Sequence, residues 1–256
     1  MANSLIFTTL ALDLGNTALK YGVFTAAGLQ ESGVLAAPSE LSHLWQRCQP
    51  AHAILASVAG EAEAQPWLHE LREVLRQILP LRPGFTPVPL GNAYATPQTL
   101  GADRLAGAVG AAYLRPNKPT LVVDAGTALK FDFVAADGTY HGGSIAPGLR
   151  MRLRALHTFT GRLPLLELPE PTTSVQLIGD ATASSMLSGV LNGTAAEVTG
   201  LVADYRARYP ELGLVLTGGD ALYLQPRLAP AFGHIFVVPE LVLIGLDRIL
   251  RYNVDR

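Results

Sequence analysis

Two stretches of the chain alternate apolar runs with short polar turns in the same order. Residues 5–12 form an apolar run leading into LDLGNTALKYGVFTAAG at 12–28, and residues 121–123 lead into VDAGTALKFDFVAADG at 123–138. Runs of this kind predict buried strands. With Asn16 taken as a one-residue insertion, both segments carry an apolar residue, Asp, Gly, Thr-Ala-Leu-Lys, an aromatic residue and a closing Gly. Residues 18–24 and 128–134 then predict second strands, and Gly28 and Asp137-Gly138 the next turns. A strand–turn–strand–turn block that occurs twice, about 110 residues apart, predicts a duplicated domain.

The intervening pattern is helical at 41–48, 66–78 and 101–114, with a short strand at 53–58. Pro80, Pro83, Pro87 and Pro89 break the chain into a loop before the third helix. Arg115-Pro116-Asn117-Lys118-Pro119 is a polar, proline-bounded linker, which divides the chain into domains 1–116 and 117–256. The second half predicts one or two helices over 180–208, a strand over 213–216 ending in Thr217-Gly218-Gly219-Asp220, and a last helix over 241–252. Strands followed by helices, twice over, predict an α/β protein of two similar halves with a cleft between them.

Composition narrows the class. Of 256 residues 49% are apolar and only 16% charged, against roughly 25% in an average globular chain. A net charge of −2 without basic clusters excludes a disordered chain and gives no footing for nucleic acid. Cys48 stands alone, so neither an intrachain disulfide nor a cysteine zinc site is possible, and a reducing compartment is expected. No run reaches the roughly 18 to 20 apolar residues of a spanning helix, and the N-terminal residues lack a basic leader region. The expectation is a soluble, cytoplasmic protein without membrane or nucleic-acid partners.

Three turns carry candidate chemistry. In Asp13-Leu14-Gly15-Asn16-Thr17, glycine lets backbone approach a phosphate, Asn16 and Thr17 offer donors, and Asp13 at a strand end suits magnesium. The same residues also make an ordinary hairpin turn. Asp124-Ala125-Gly126-Thr127 repeats the carboxylate, glycine and hydroxyl, and Leu216-Thr217-Gly218-Gly219-Asp220 adds a glycine pair where a flat adenosine could lie. Gly143 to Gly148 has P-loop spacing, but Leu149-Arg150 follows in place of Lys and Ser or Thr, which rejects that reading.

The ordered triple resembles the phosphate-1, phosphate-2 and adenosine motifs of the actin-like ATPase and sugar-kinase superfamily. Within it the chain is similar to the type III pantothenate kinases. Gly101-Ala102-Asp103-Arg104 matches that family's substrate motif, with Tyr94 seven residues ahead of it. Gly142-Gly143-Ser144-Ile145-Ala146-Pro147-Gly148 looks like its GGxIxPG loop. Ala155-Leu156-His157, Thr160, Leu163-Pro164, Ile178-Gly179, Thr182, Ser185-Met186 and Ser188-Gly189 extend the likeness over about residues 11–253.

The resemblance implies duplicated ribonuclease-H-like domains around a nucleotide cleft. It also implies ATP-dependent phosphorylation of pantothenate to 4'-phosphopantothenate, the first step of coenzyme A biosynthesis, by a homodimer. Asp103 would be the catalytic base. Asp13, Leu14, Gly15, Asn16, Thr17, Ala18, Leu19, Lys20 and Thr127 would hold ATP with magnesium. Tyr94, Gly101, Ala102, Asp103, Arg104 and Thr182 would bind pantothenate, and Asp124 a monovalent cation, potassium or ammonium. Read without the resemblance, Asp103 is a helix-start residue, Arg104 a surface charge and Tyr94 a packing residue. Lys20 suits a solvated face as well as a phosphate contact. Lys130, where family members often have a small polar residue, either sits near the phosphates or cation site or mirrors Lys20. Arg150, Arg152 and Arg154 read as a solvated helix face. The rival readings are a kinase of another small molecule and a non-catalytic nucleotide-binding regulator.

Overall fold

The repeated blocks fold as the hydrophobic pattern dictates. In a computed structural model that describes residues 8–15, 18–58, 64–67, 69–70, 78–232 and 235–254, the chain builds two sheets of the same strand order. The first is β3-β2-β1-β4-β5, made of β1 (Thr9–Leu14), β2 (Leu19–Thr25), β3 (Gly28–Leu35), β4 (His52–Ser57) and β5 (Ile78–Pro80). The second runs β9-β8-β7-β10-β11, from β7 (Thr120–Ala125), β8 (Ala128–Val134), β9 (Thr139–Pro147), β10 (Gly213–Thr217) and β11 (Phe236–Val237). A sixth strand, β6 (Gly91–Asn92), pairs in parallel with Thr139 and Tyr140 at the start of β9.

β1 and β7 occupy the same place in their sheets. Each is antiparallel to the following strand and parallel to a later one, and each is buried at every position but the aspartate. A strand covered on both faces needs an apolar residue at nearly every position, so both were legible as continuous runs.

Two compact units divide between Pro116 and Asn117, with 138–140 and 240–256 belonging to the first. The first unit packs α1 (Glu40–Cys48) on one face of its sheet, with Leu41, Leu44 and Trp67 against Leu10, Leu12, Leu14 and Leu19. Each such buried leucine contributes about 2 kcal/mol of hydrophobic stabilisation. The helices α2 (Ala102–Leu114) and α6 (Leu241–Val254) belong to the same unit, and α6 also packs on β1, β2 and β4. The expected domain 117–256 holds α6, whereas in the structure this helix is part of the first unit. Glycine lets α6 pack closely on α2, since a Cβ on Gly245 would stand 1.8 Å from the Ala106 carbonyl oxygen. Asp247 of α6, almost fully buried, accepts from Thr9 at 2.5 Å and Arg251 at 2.7 Å, and Arg251 also donates to the Thr25 carbonyl.

The second unit holds α3 (Leu149–Thr158), the single 27-residue helix α4 (Thr182–Arg208) and α5 (Ala221–Phe232). Val198 and Val202 of α4 and Leu224 and Leu228 of α5 pack with Leu121, Val123, Phe131 and Leu214 of the sheet. Residues 64–67 and 69–70 are helical, 71–77 of the expected 66–78 helix lie outside the described residues, and Ile78 already opens β5. No helix among the described residues is long and apolar enough to cross a membrane.

Candidate active site

In the first unit, β1 and β2 form a hairpin in which Asp13 faces Lys20 and Leu14 faces Leu19. The Gly15 N–H closes the turn on the Ala18 carbonyl at 3.1 Å, so this donor serves the turn itself. Asp13 is half-buried at the carboxyl end of β1, and Lys20 is exposed. The Leu14 and Leu19 side chains belong to the core, which leaves only their backbone to meet a ligand. Asn16 and Thr17 lie outside the described residues.

Of the acceptor residues implied by the resemblance, Tyr94 and Gly101 to Arg104 lie elsewhere in the same unit, whereas Thr182 belongs to the second. Gly101 is the N-cap of α2, and Asp103 follows in its first turn, where the helix dipole favours a carboxylate. Asp103 Oδ1 accepts the Arg104 backbone N–H at 2.9 Å. The same oxygen lies over Gly101, where an added Cβ would be 2.6 Å from it. Arg104 is no surface charge, being only 6% exposed, and its guanidinium stands 5.8 Å from the Tyr94 ring centre. Tyr94 in turn stacks on buried Tyr140 at 6.0 Å. Tyr140 carries no local sequence signal, since its partner comes from a loop about 45 residues earlier.

The second unit joins the other two motifs. β7 and β8 repeat the hairpin, with Asp124 facing Lys130 and the Gly126 N–H closing on the Ala128 carbonyl at 3.1 Å. β10 lies parallel to β7 with Thr217 beside Asp124, so both motifs sit at carboxyl strand ends, where open α/β sheets bind ligands. The Asp220 N–H donates to the Ala125 carbonyl at 2.8 Å, and the Gly148 N–H to the Thr127 carbonyl at 3.2 Å. Gly218 takes a left-handed φ of 91° and leaves no room for a side chain, as its Cβ would meet the Ala125 oxygen at 2.4 Å and Asp124 Oδ1 at 2.5 Å. Gly219 is open to its surroundings, the bare backbone that suits a flat ring.

Lys130 does not mirror Lys20. Its ammonium is 2.7 Å from Asp124 Oδ2, an ion pair with both side chains about five-sixths buried (16% and 17% exposed). Two of the three arginines expected on a solvated helix face are likewise engaged. Arg150 pairs with buried Asp220, and Arg152 with Glu197 at 2.5 Å. Burial pushes the Asp220 carboxyl above its ordinary pKa, against the opposing pull of Arg150. Thr182 opens α4 and lines a cavity of about 750 Å³ with Leu156, Leu163, Gly179, Ser185 and Met186, a volume fit for a small molecule.

The profile of the type III pantothenate kinase family matches residues 9–204. A type III pantothenate kinase of Phocaeicola vulgatus is 39% identical over 246 residues, covering 95% of this chain and 98% of its own. This chain belongs to the type III pantothenate kinase family. A relative of the same description from Porphyromonas gingivalis is 40% identical over 250 residues, with 96% and 98% of the two chains covered. Among solved structures, a putative 2-dehydro-3-deoxygalactonokinase protein from Sinorhizobium meliloti matches with a TM-score of 0.58 at 18% identity, over 96% of this chain and 99% of that one. That likeness bears out the fold, a duplicated α/β architecture shared with sugar kinases.

Proposed function

We propose that this family member transfers the γ-phosphoryl group of ATP to the primary alcohol of pantothenate, giving 4'-phosphopantothenate and ADP. The carrying observation is the cluster of Tyr94, Asp103 and Arg104, because these residues concern the acceptor and not the nucleotide. Asp103 takes the alcohol proton as the oxygen attacks the γ-phosphorus, the P–O bond to ADP breaks, and the base is left protonated. Asp103 stands in the first turn of α2, within reach of the alcohol that this reading places there. Arg104, held against Tyr94, meets the negative charge of pantothenate or of the transferring group.

Within the second unit, Thr127 and the backbone of its turn hold phosphate oxygens, while Gly219 lies against adenosine. Asp13 is a hard oxygen donor at a strand end and fits magnesium, which when bound neutralises charge on the phosphates. Thr182 and the cavity it lines in the second unit fit a small molecule. A cytoplasmic homodimer belongs to the same reading.

The test compares wild type with Asp103→Asn in turnover and in pantothenate binding. The variant is expected to lose about 100- to 10,000-fold in kcat, the range of a general base, while still binding pantothenate. Unchanged turnover in the variant would remove Asp103 from the chemistry.

A further inference from the structure

Asp124 is where the family resemblance puts a monovalent metal cation, and the residues present do not suit one. Its Oδ2 is taken by the Lys130 ammonium at 2.7 Å, and its Oδ1 lies against Gly218, where even a Cβ would stand 2.5 Å away. The carboxylate is thus bracketed by backbone on one side and by a fixed positive charge on the other. With both side chains largely buried, solvent screens the site weakly, and a second cation on Asp124 would meet the ammonium's repulsion. The hairpin register explains why the lysine reaches. Lys130 is the cross-strand partner of Asp124, one residue pair before the turn that carries Thr127. Lys20, in the echoed place opposite Asp13, is exposed, so the sequence repeat alone does not create this arrangement.

We propose that the Lys130 ammonium is a built-in replacement for the monovalent cation at the second phosphate turn, so that nucleotide binding and turnover need no potassium. This rests on the kinase reading above. Lys130 is a positioning residue: it neutralises Asp124 and keeps the Asp124–Thr127 turn, with the Gly218 and Asp220 backbone bonded beside it, in the geometry that receives phosphate oxygens. No proton or bond is exchanged in this role.

The experiment uses the whole chain in sodium and Tris buffers, with potassium or ammonium chloride added at constant ionic strength. Two readouts are taken: calorimetric binding of a non-hydrolysable ATP analogue with magnesium, and pantothenate-dependent ADP release. For wild type both should change by no more than about twofold, the residue left by general salt effects. Lys130→Met should bind the analogue about 5- to 150-fold more weakly in sodium, a coupling of ordinary size, and recover with potassium or ammonium. A merely structural lysine would not produce rescue by a particular cation. Wild type whose analogue binding depends strongly on potassium would overturn the inference, as would a variant indifferent to the cation. If the variant does not fold, the wild-type titration decides alone. Analogue binding without potassium but no turnover with pantothenate would uphold the inference and defeat the kinase reading.

Discussion

Asp103 and Gly101 show how little separates a helix cap from the proposed catalytic arrangement. Both belong to an ordinary helix start, and their residue types would be unremarkable in any α/β protein. What distinguishes them is the carboxylate folded back over a residue with no side chain, beside a buried arginine held by a tyrosine. Gly101→Ala would push a methyl group to 2.6 Å from Asp103 Oδ1, and the movable partner is the carboxylate. The variant should therefore keep its fold, with a melting temperature within a few degrees of wild type. Its kcat should fall by up to about 100-fold, as for a catalytic group displaced by an ångström. Unchanged kcat with a lowered melting temperature would mark Gly101 as a cap and nothing more. Arg104 was open to reading as a surface charge, because a single arginine in sequence carries no mark of its burial. Lys20 and Lys130 teach the same lesson, for identical residues in identical local patterns meet different neighbours.

Elements were legible in proportion to how completely they are buried. β1, β7 and β10 are central, and their apolar runs announced them. β3 (GLQESGVL) buries only its last residue fully, and β9 is exposed or half-exposed at most positions, so neither produced an apolar run. α5 escaped notice because Pro226 and Pro230 lie inside it, and proline removes a helix donor and reads as a breaker. The edge strand β3 is held from outside. Glu31 accepts two hydrogen bonds from Arg47 of α1, at 2.5 and 2.6 Å, and one from Tyr21 of β2 at 2.6 Å. The Arg47 hydrogen bonds first, and then the Tyr21 hydroxyl, lower the Glu31 pKa from 4.5 to about 2. A depressed carboxylate contributes its stability above the unfolded value and loses it as pH falls toward the folded one. The melting-temperature gap between wild type and Arg47→Met should thus hold steady above about pH 5 and close toward pH 2. A gap that stays constant through that range would mean Arg47 acts by packing its stem alone.

At the scale of the whole molecule, the duplication was visible because each copy keeps the residues that its central hairpin requires. The same strand order around β1 and around β7 is the physical counterpart of the repeated segment. The assignment of α6 was not visible. An apolar C-terminal helix shows one face to bury, but which sheet receives it depends on the contact of Gly245 with Ala106 and on Asp247 meeting Thr9, pairings about 140 and 240 residues apart. The proposed chemistry asks more of the chain than any motif does, since it requires acceptor, nucleotide and base in one turnover. The most direct measurement follows purified protein with ATP, magnesium and pantothenate, reading ADP release and the mass of the product together. One phosphopantothenate is expected for each ADP, with little ADP formed when pantothenate is withheld. ADP release that is indifferent to pantothenate, or no release at all while ATP still binds, would contradict it.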